Sequence, residues 1–406
     1  MRISILKLLL LLLISINIAF SQNYNSTVDE LIESVNLDSI LSHVRILSGE
    51  DSVIIEGEKK LITNRTNLSD RILAGKFIQS KLDSYGIETF IQSFSFDTTF
   101  GNNVIGKQIG ILSDSTIIIC AHYDAVEESP GADDNSSGTA AVLETARLLS
   151  KYPVKYNVLY ILWDLEEIGL IGSTYFCFSD SALNGIKYVL NVEMLGYDHN
   201  FDYAVDVHVQ PVANSVEMAE LFKSFSELYN LKPDIEIVNP GTDRSDHAVF
   251  WEKNISALAF SQDFMPDESN FTPYYHTPDD KIEYFNQDFF KENVKAAVAF
   301  MAGLSIDENT SAAEDNYVVK DFVLHQNYPN PFNPATKIKF SLPAQEFVTI
   351  KIYNVLGSEV KTLLNSYKAA GSHSIVFDAE NLPSGIYLYK INAGRFSEIK
   401  KMMVVK

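Results

Sequence analysis

The segment 117–138, I-I-I-C-A-H-Y-D-A-V-E-E-S-P-G-A-D-D-N-S-S-G, constrains the fold more than any other part of the chain. Ile117, Ile118 and Ile119 form a β-branched run suited to a buried strand, and the chain turns polar at His122 and Asp124, where that strand should end. Pro130 and Gly131 punctuate a loop whose polar end, 133–137, runs into the apolar-periodic segment 139–149 as a helix N-cap region would. Open α/β sheets keep their ligand sites at such strand ends. The loop is therefore expected to deliver carboxylates to a helix entrance beside them.

The rest of the first 304 residues repeats this alternation. Apolar residues at helical spacing predict helices over 28–47 and 70–85, with Gly86 as a stop signal, and strands follow over 89–96, 103–112 and 116–121. Helices are expected at 139–150, 169–178, 215–228 and 288–304, and strands at 157–163, 188–192 and 257–260. The pattern argues one α/β domain, a mixed sheet flanked by helices. Residues 305–316 offer almost nothing to bury and have the composition of a linker. Beyond Val318 short alternating runs at 337–340, 348–353, 373–377, 386–391 and 398–405 are separated by Gly, Pro and Asn, which predicts a small all-β sandwich. The expected organisation is a secretory signal peptide at 1–21, an α/β domain at 22–304, a linker at 305–320 and a β-sandwich at 321–406.

The signal peptide rests on Arg2 and Lys7, the apolar run 8–14 and Ala19-Phe20-Ser21. A membrane anchor is the alternative, but the run barely reaches spanning length and the chain after it is polar, so no membrane span is expected once it is removed. A formal charge of -21 disfavours nucleic acid and anionic membranes as partners, because both reward Lys and Arg. The two cysteines, Cys120 and Cys177, sit in apolar company and cannot by themselves make a zinc-thiolate site; a single bridge between them is open in an oxidising compartment.

Further clusters sit at expected strand ends or in polar loops: Glu166-Glu167, Glu193, Ser245-Asp246-His247, and His276 within P-Y-Y-H-T-P. Taken singly each has an ordinary reading, a solvated turn for Asp133-Asp134 or a helix start for Glu166-Glu167. Taken together they supply two imidazoles and several carboxylates. Nitrogen and oxygen donors without thiolate suit Zn2+ in a catalytic site, and two zinc ions about 3.5 to 4 Å apart need one bridging carboxylate with further ligands on each side. A neighbouring carboxylate that binds no metal can then take a proton from the bridging water.

At these residues the chain resembles the co-catalytic double-zinc aminopeptidase family, whose relatives include glutamate carboxypeptidase and glutaminyl cyclase. A-H-Y-D, P-G-A-D-D-N-S-S-G, E-E-I-G-L-I-G-S, N-V-E-M-L-G, S-D-H and Y-H-T-P-D-D occur in the family's order and spacing between about residues 27 and 304. The resemblance implies His122 and Glu193 as ligands of one zinc, Glu167 and His276 as ligands of the other, and Asp134 as the bridge. It implies Glu166 as general base and later acid, Asp124 as the partner that orients the His122 ring, and Tyr275 as a donor to the tetrahedral oxyanion. Two departures stand out: the family more often has Asp where Glu193 stands, and some relatives have a transition-state tyrosine where this chain has Thr242, leaving that work to Tyr275 or Arg244. Asp246 and His247 read as structural, His199 and His208 as solvent-facing or core residues, and Cys120 as packing beneath the site.

From His325 the stretch H-Q-N-Y-P-N-P-F-N-P-A-T-K-I-K-F, with I-Y-N-V-L-G and L-P-S-G-I-Y-L-Y-K-I further on, resembles the type A sorting domain read by the type IX secretion system of Bacteroidetes-type bacteria. The two resemblances together imply a secreted or cell-surface zinc exopeptidase, exported through periplasm and outer membrane. It would hydrolyse N-terminal residues of peptides and partner the type IX machinery. Carboxypeptidase, dipeptidase or glutaminyl cyclase activity on the same scaffold, or a non-catalytic surface receptor, are the alternatives.

Overall fold

The computed structural model describes residues 23–178, 183–263, 271–306, 322–324, 326–327, 330–368, 371–379 and 382–406. The expected signal peptide and most of the expected linker lie outside the described residues. The isoleucine run becomes the middle of strand β5 (Leu112–His122), and its two-residue side-chain period feeds two cores: Ile117, Ile119 and Ala121 on one face, Ile118 and Cys120 on the other. Strands β6 (Tyr156–Trp163), β7 (Ile186–Glu193) and β10 (Ala257–Gln262) divide their side chains in the same way. These strands run parallel in the spatial order β6-β5-β7-β10, so their carboxyl ends share one edge of the sheet.

Antiparallel strands extend the sheet on both sides. β4 (Thr99–Gln108) and β3 (Glu88–Phe96) lie beyond β6, and β8 (Ala204–His208) followed by β9 (Asp234–Val238) lies beyond β10, which completes eight strands in the order β3-β4-β6-β5-β7-β10-β8-β9. A separate short hairpin pairs β1 (Val53–Ile55) with β2 (Glu58–Lys60). On the larger core pack helices α1 (Ser26–Glu33), α2 (Leu37–Leu47), α3 (Leu68–Ser84), α4 (Gly138–Leu149), α6 (Ser215–Leu228) and α8 (Gln287–Ser305). The opposite face is covered by α5 (Ile171–Cys177) and α7 (His247–Glu252).

The single helix expected over 28–47 is two helices. Ser34 ends the first, and Asn36 caps the second through its side chain while its backbone N–H donates to the buried Glu144 at 2.7 Å. Asn25, Asn67 and Asn286 cap α1, α3 and α8 in the same way. The loop expected at 245–247 continues directly into α7, and β8 and β9 had no expected counterpart. Both cysteines are free and buried in the smaller core.

The chain divides into two compact units, residues 1–313 and 314–406. In the second, β11 (Val323–Leu324), β12 (Ala335–Leu342) and β15 (Gly371–Asp378) make one sheet. The other contains β13 (Glu346–Asn354), β14 (Glu359–Lys368), β16 (Gly385–Ala393) and β17 (Phe396–Val404). Ile338 and Phe340 of the first sheet and Val348, Ile350, Tyr389 and Ile391 of the second share one core, so the β-sandwich expected from the alternation is present. Strand β14 had no expected counterpart: it is an edge strand with no fully buried side chain, and its residues show little alternation. No helix among the described residues is long and apolar enough to cross a membrane.

Phe300 on α8 is fully buried against Phe222 and Phe225 of α6, with ring centroids 5.2 and 6.1 Å away. Phe300→Ala is expected to destabilise the first unit by about 3–5 kcal/mol, read as a lower urea midpoint for its unfolding. A midpoint within error of the parent would contradict this packing.

Candidate active site

The carboxyl ends of the parallel strands converge on a cavity of about 300 Å3. His122 is the last residue of β5 and Glu193 the last of β7, while Glu166 and Glu167 follow β6 after a left-handed turn at Leu165. Asp134 comes from the segment 132–137 before α4, and Tyr275 and His276 from the loop before α8. All of these residues line the cavity, and Asp124 stands behind His122. A larger groove of about 790 Å3 along β8, β9 and α6 is lined by none of them and by no imidazole.

Asp134 is the centre of the arrangement. One carboxylate oxygen lies 3.2 Å from His122 Nε2 and the other 3.1 Å from His276 Nε2. Glu193 and Glu166 approach His122 Nε2 at 3.5 and 3.9 Å, and Glu167 approaches His276 Nε2 at 3.2 Å. Donor atoms of His122, Asp134 and Glu167 lie within 4.8 Å of one another, as do those of His122, Glu166 and Glu193. Asp124 has two tasks. Its Oδ1 is 3.3 Å from His122 Nδ1, off hydrogen-bond alignment, and its two oxygens accept the backbone N–H groups of Glu166 and Glu167 at 3.1 and 3.2 Å.

One supporting residue, Arg65, had no sequence signal of its own; the others stand in the motifs already quoted. Arg65 is buried and gives its guanidinium to backbone carbonyls: Tyr123 at 2.6 Å, Pro130 and Gly131 at 2.8 Å, and Leu47. It fastens both ends of the loop that carries Asp134. Asp280, four residues after His276, accepts the backbone N–H groups of Asp133 and Asp134 at 2.8 and 3.1 Å and so ties the His276 loop to the segment that carries Asp134. Asp133 accepts from Gly196 and Gln262, and Asn135 donates to Val192 O at 2.8 Å, which binds the same segment to the end of β7. Ser245 donates to Glu193, and Asp246 is fully buried. His199 is exposed, whereas His208 is buried and lines the cavity.

Burial opposes every charge in this cluster. It lifts the Glu166 carboxyl well above its ordinary value against the attraction of His122, and lifts Glu167 to about 7 and Asp246 to about 8. Burial lowers the affinity of His276 for its proton, but hydrogen bonds to Asp134 and Glu167 outweigh that and raise it to about 9. Burial pushes the Tyr275 phenol upward, so it is a neutral donor.

A deep α/β sheet edge thus gathers imidazoles and carboxylates around one cavity. Residues 103–301 match Peptidase family M28, and residues 326–406 match the Secretion system C-terminal sorting domain. The aminopeptidase YwaD of Bacillus subtilis (strain 168) is 30% identical over 206 residues, which cover 50% of this chain and 44% of that protein. The chain thus spans less than half the length of the curated relatives it matches. Among solved structures, BSAP, a zinc aminopeptidase from Bacillus subtilis, has a TM-score of 0.57 at 17% identity, covering 69% of this chain and 97% of that one. The glutaminyl cyclase of Bacteroides thetaiotaomicron has a TM-score of 0.52 at 19% identity, covering 65% and 97%. These likenesses are of fold.

Without metal, the folded chain holds protons at Glu167, Asp246 and His276 that the unfolded chain releases at lower pH. All three shifts are upward, so the native state binds more protons and stability falls as pH rises through the window ending at about 7 to 9. The urea midpoint of chelator-treated protein is expected to drop between about pH 6 and about pH 9. A midpoint that rises over that interval would contradict the assigned directions.

Proposed function

We propose that the chain is an exported metallo-aminopeptidase that binds two zinc ions and removes N-terminal residues from peptides. The observation that carries this reading is the Asp134 carboxylate, which turns one oxygen to each of two imidazoles at 3.2 and 3.1 Å. The donor set fits such ions: it has nitrogen and oxygen but no thiolate, and Glu167 Oε1 is buried with no hydrogen-bond partner among the described residues. Asp134, Glu166, Glu167 and Glu193 carry four negative charges when ionised, which two divalent cations would balance. His122 and Glu193 would hold one ion, Glu167 and His276 the other, and Asp134 both. Bound there, the cations would polarise the scissile carbonyl and make the attacking water more acidic.

The chain's own groups do the rest. Glu166 takes the proton of the attacking water and returns it to the leaving amine, and its upward-shifted carboxyl suits a group that must hold and release a proton. Asp124 keeps Glu166 and Glu167 in place through their backbone N–H groups. Tyr275, stacked on His276 with centroids 3.7 Å apart, presents a neutral hydroxyl to the tetrahedral oxyanion. Glu193 replaces a shorter aspartate and still approaches His122 Nε2 at 3.5 Å, which supports its retention as a ligand.

The domain boundaries proposed are a signal peptide at 1–21, the catalytic domain at 22–304, a linker at 305–320 and the sorting domain at 321–406. The match of 326–406 to the sorting domain supports type IX export to the cell surface or medium, with that machinery as partner. Purified protein is expected to carry two zinc ions per chain by elemental analysis, and chelation to abolish release of the N-terminal residue until zinc is restored. Glu166→Gln should keep both metals and the fold while lowering kcat by about 10²–10⁴-fold or more. Normal turnover by that variant would remove Glu166 from its assigned role.

A further inference from the structure

Among the described residues, Arg244 is the sole Lys or Arg that lines the cavity of the proposed metal ligands. It sits on a loop that is fastened on both sides. Thr242 O meets the His247 ring at 2.9 Å, and the Arg244 backbone N–H donates to Thr242 Oγ1 at 3.3 Å. Ser245 accepts from Asn191 at 2.8 Å and donates to Glu193. Between these anchors the Arg244 side chain is exposed at the cavity. Its guanidinium makes no hydrogen bond or ion pair among the described residues, so its fork of N–H donors is open to a ligand. Its charge also reaches the centre: burial and the carboxylates of Asp134, Glu167 and Glu193 push the Tyr275 phenol upward, and Arg244 opposes them.

We infer that Arg244 holds a carboxylate of the substrate beside the metal centre, so that the chain acts on peptides able to bring one there, as the acidic side chain of the first residue or as the terminal carboxylate of a dipeptide. The inference rests on the aminopeptidase reading and names its substrate class. The charges of the cavity favour it once the cations are bound. Two divalent ions would balance the ionised carboxylates of Asp134, Glu166, Glu167 and Glu193, and the guanidinium is then the charge left over. A neutral group leaves that charge unanswered, and a basic one is repelled by it. A carboxylate matches the planar fork and can take two parallel hydrogen bonds from it. Arg65 cannot do this work, because its donors are committed to backbone carbonyls. Either substrate is cleaved in the same way: the amide C–N bond breaks, the carbonyl carbon takes the hydroxyl of water and the leaving nitrogen takes its proton.

The test uses the zinc-loaded full chain and two pairs of peptides. Glu-Ala-Ala-amide and Gln-Ala-Ala-amide differ only in side-chain charge, and Leu-Gly and Leu-Gly-amide only in the terminal carboxylate. In at least one pair the carboxylate is expected to raise kcat/KM by about five-fold, mainly through KM, as suits an ion pair partly open to water. The pair that responds tells whether the side chain or the chain end is read. Arg244→Gln should remove the difference, and Arg244→Lys should keep part of it, since the charge stays and the fork is lost. Calorimetric binding of the same peptides to the zinc-loaded Glu166→Gln variant should show the same preference in Kd, lost when Arg244→Gln is added. No preference in either pair, or one that survives Arg244→Gln, overturns the inference and leaves the aminopeptidase reading standing. An equal loss of kcat on every peptide assigns Arg244 to the oxyanion and overturns it as well. If calorimetry shows the Arg244-dependent preference while no peptide with a free amino terminus is hydrolysed, the carboxylate site stands and the peptidase reading falls.

Discussion

The structure depends on keeping several largely buried carboxylates close together at the wall of one cavity. Burial penalises each of these charges, and their mutual repulsion adds to the penalty. Neutralising side chains are scarce there: the one fully buried cation behind the site, Arg65, spends its donors on backbone carbonyls and makes no ion pair with a carboxylate among the described contacts. The acids are held in place by backbone amides. Asp280 takes two, Asp124 takes two, and Asp133 takes the amide of Gly196. Holding the acids through their backbones leaves the side chains of Asp134, Glu166, Glu167 and Glu193 turned to the cavity.

This arrangement explains why the segment 131–138 is so polar and yet so buried. Ser136 and Ser137 hydroxyls donate to the carbonyls of Gly131 and Asp133, Asn135 reaches Val192 and accepts from Gly138, and Thr139 holds the carbonyl of His122. Each polar side chain closes a backbone group that the loop would otherwise leave dry. Gly131 is required by its left-handed backbone and because a Cβ there would meet the Arg65 guanidinium at 2.4 Å and Asp134 O at 2.5 Å. Fold stability and site geometry are therefore written into the same hydrogen bonds.

The likeness to both aminopeptidases and a glutaminyl cyclase is intelligible on the same ground. One fold can carry different reactions, decided by the side chains around the site. In this chain the surroundings include Ser261 and Ala259 on β10 and two neutral imidazoles, His208 and His247. His247 stands in the S-D-H stretch, whereas His208 lies on a strand whose five residues are too few to show a period.

What the sequence by itself determined is local. The β-branched run at 117–119 required a buried strand, apolar residues at helical spacing marked the helices, and ligand-type residues at strand ends marked the sheet edge. Such signals repeat over two or four residues and need no knowledge of distant partners. The tertiary structure decided what depends on packing between segments far apart in the chain: that the helix at 28–47 breaks at Asn36, whose backbone amide meets Glu144, and that Asp280 reaches back to Asp133 and Asp134. It also decided which carboxylate faces which imidazole, because those separations are set by loop conformations that Arg65, Asp124 and Asp133 fasten from other elements. Residue type announces what a side chain can bind, but only the packed sheet puts two such side chains about 3 Å apart.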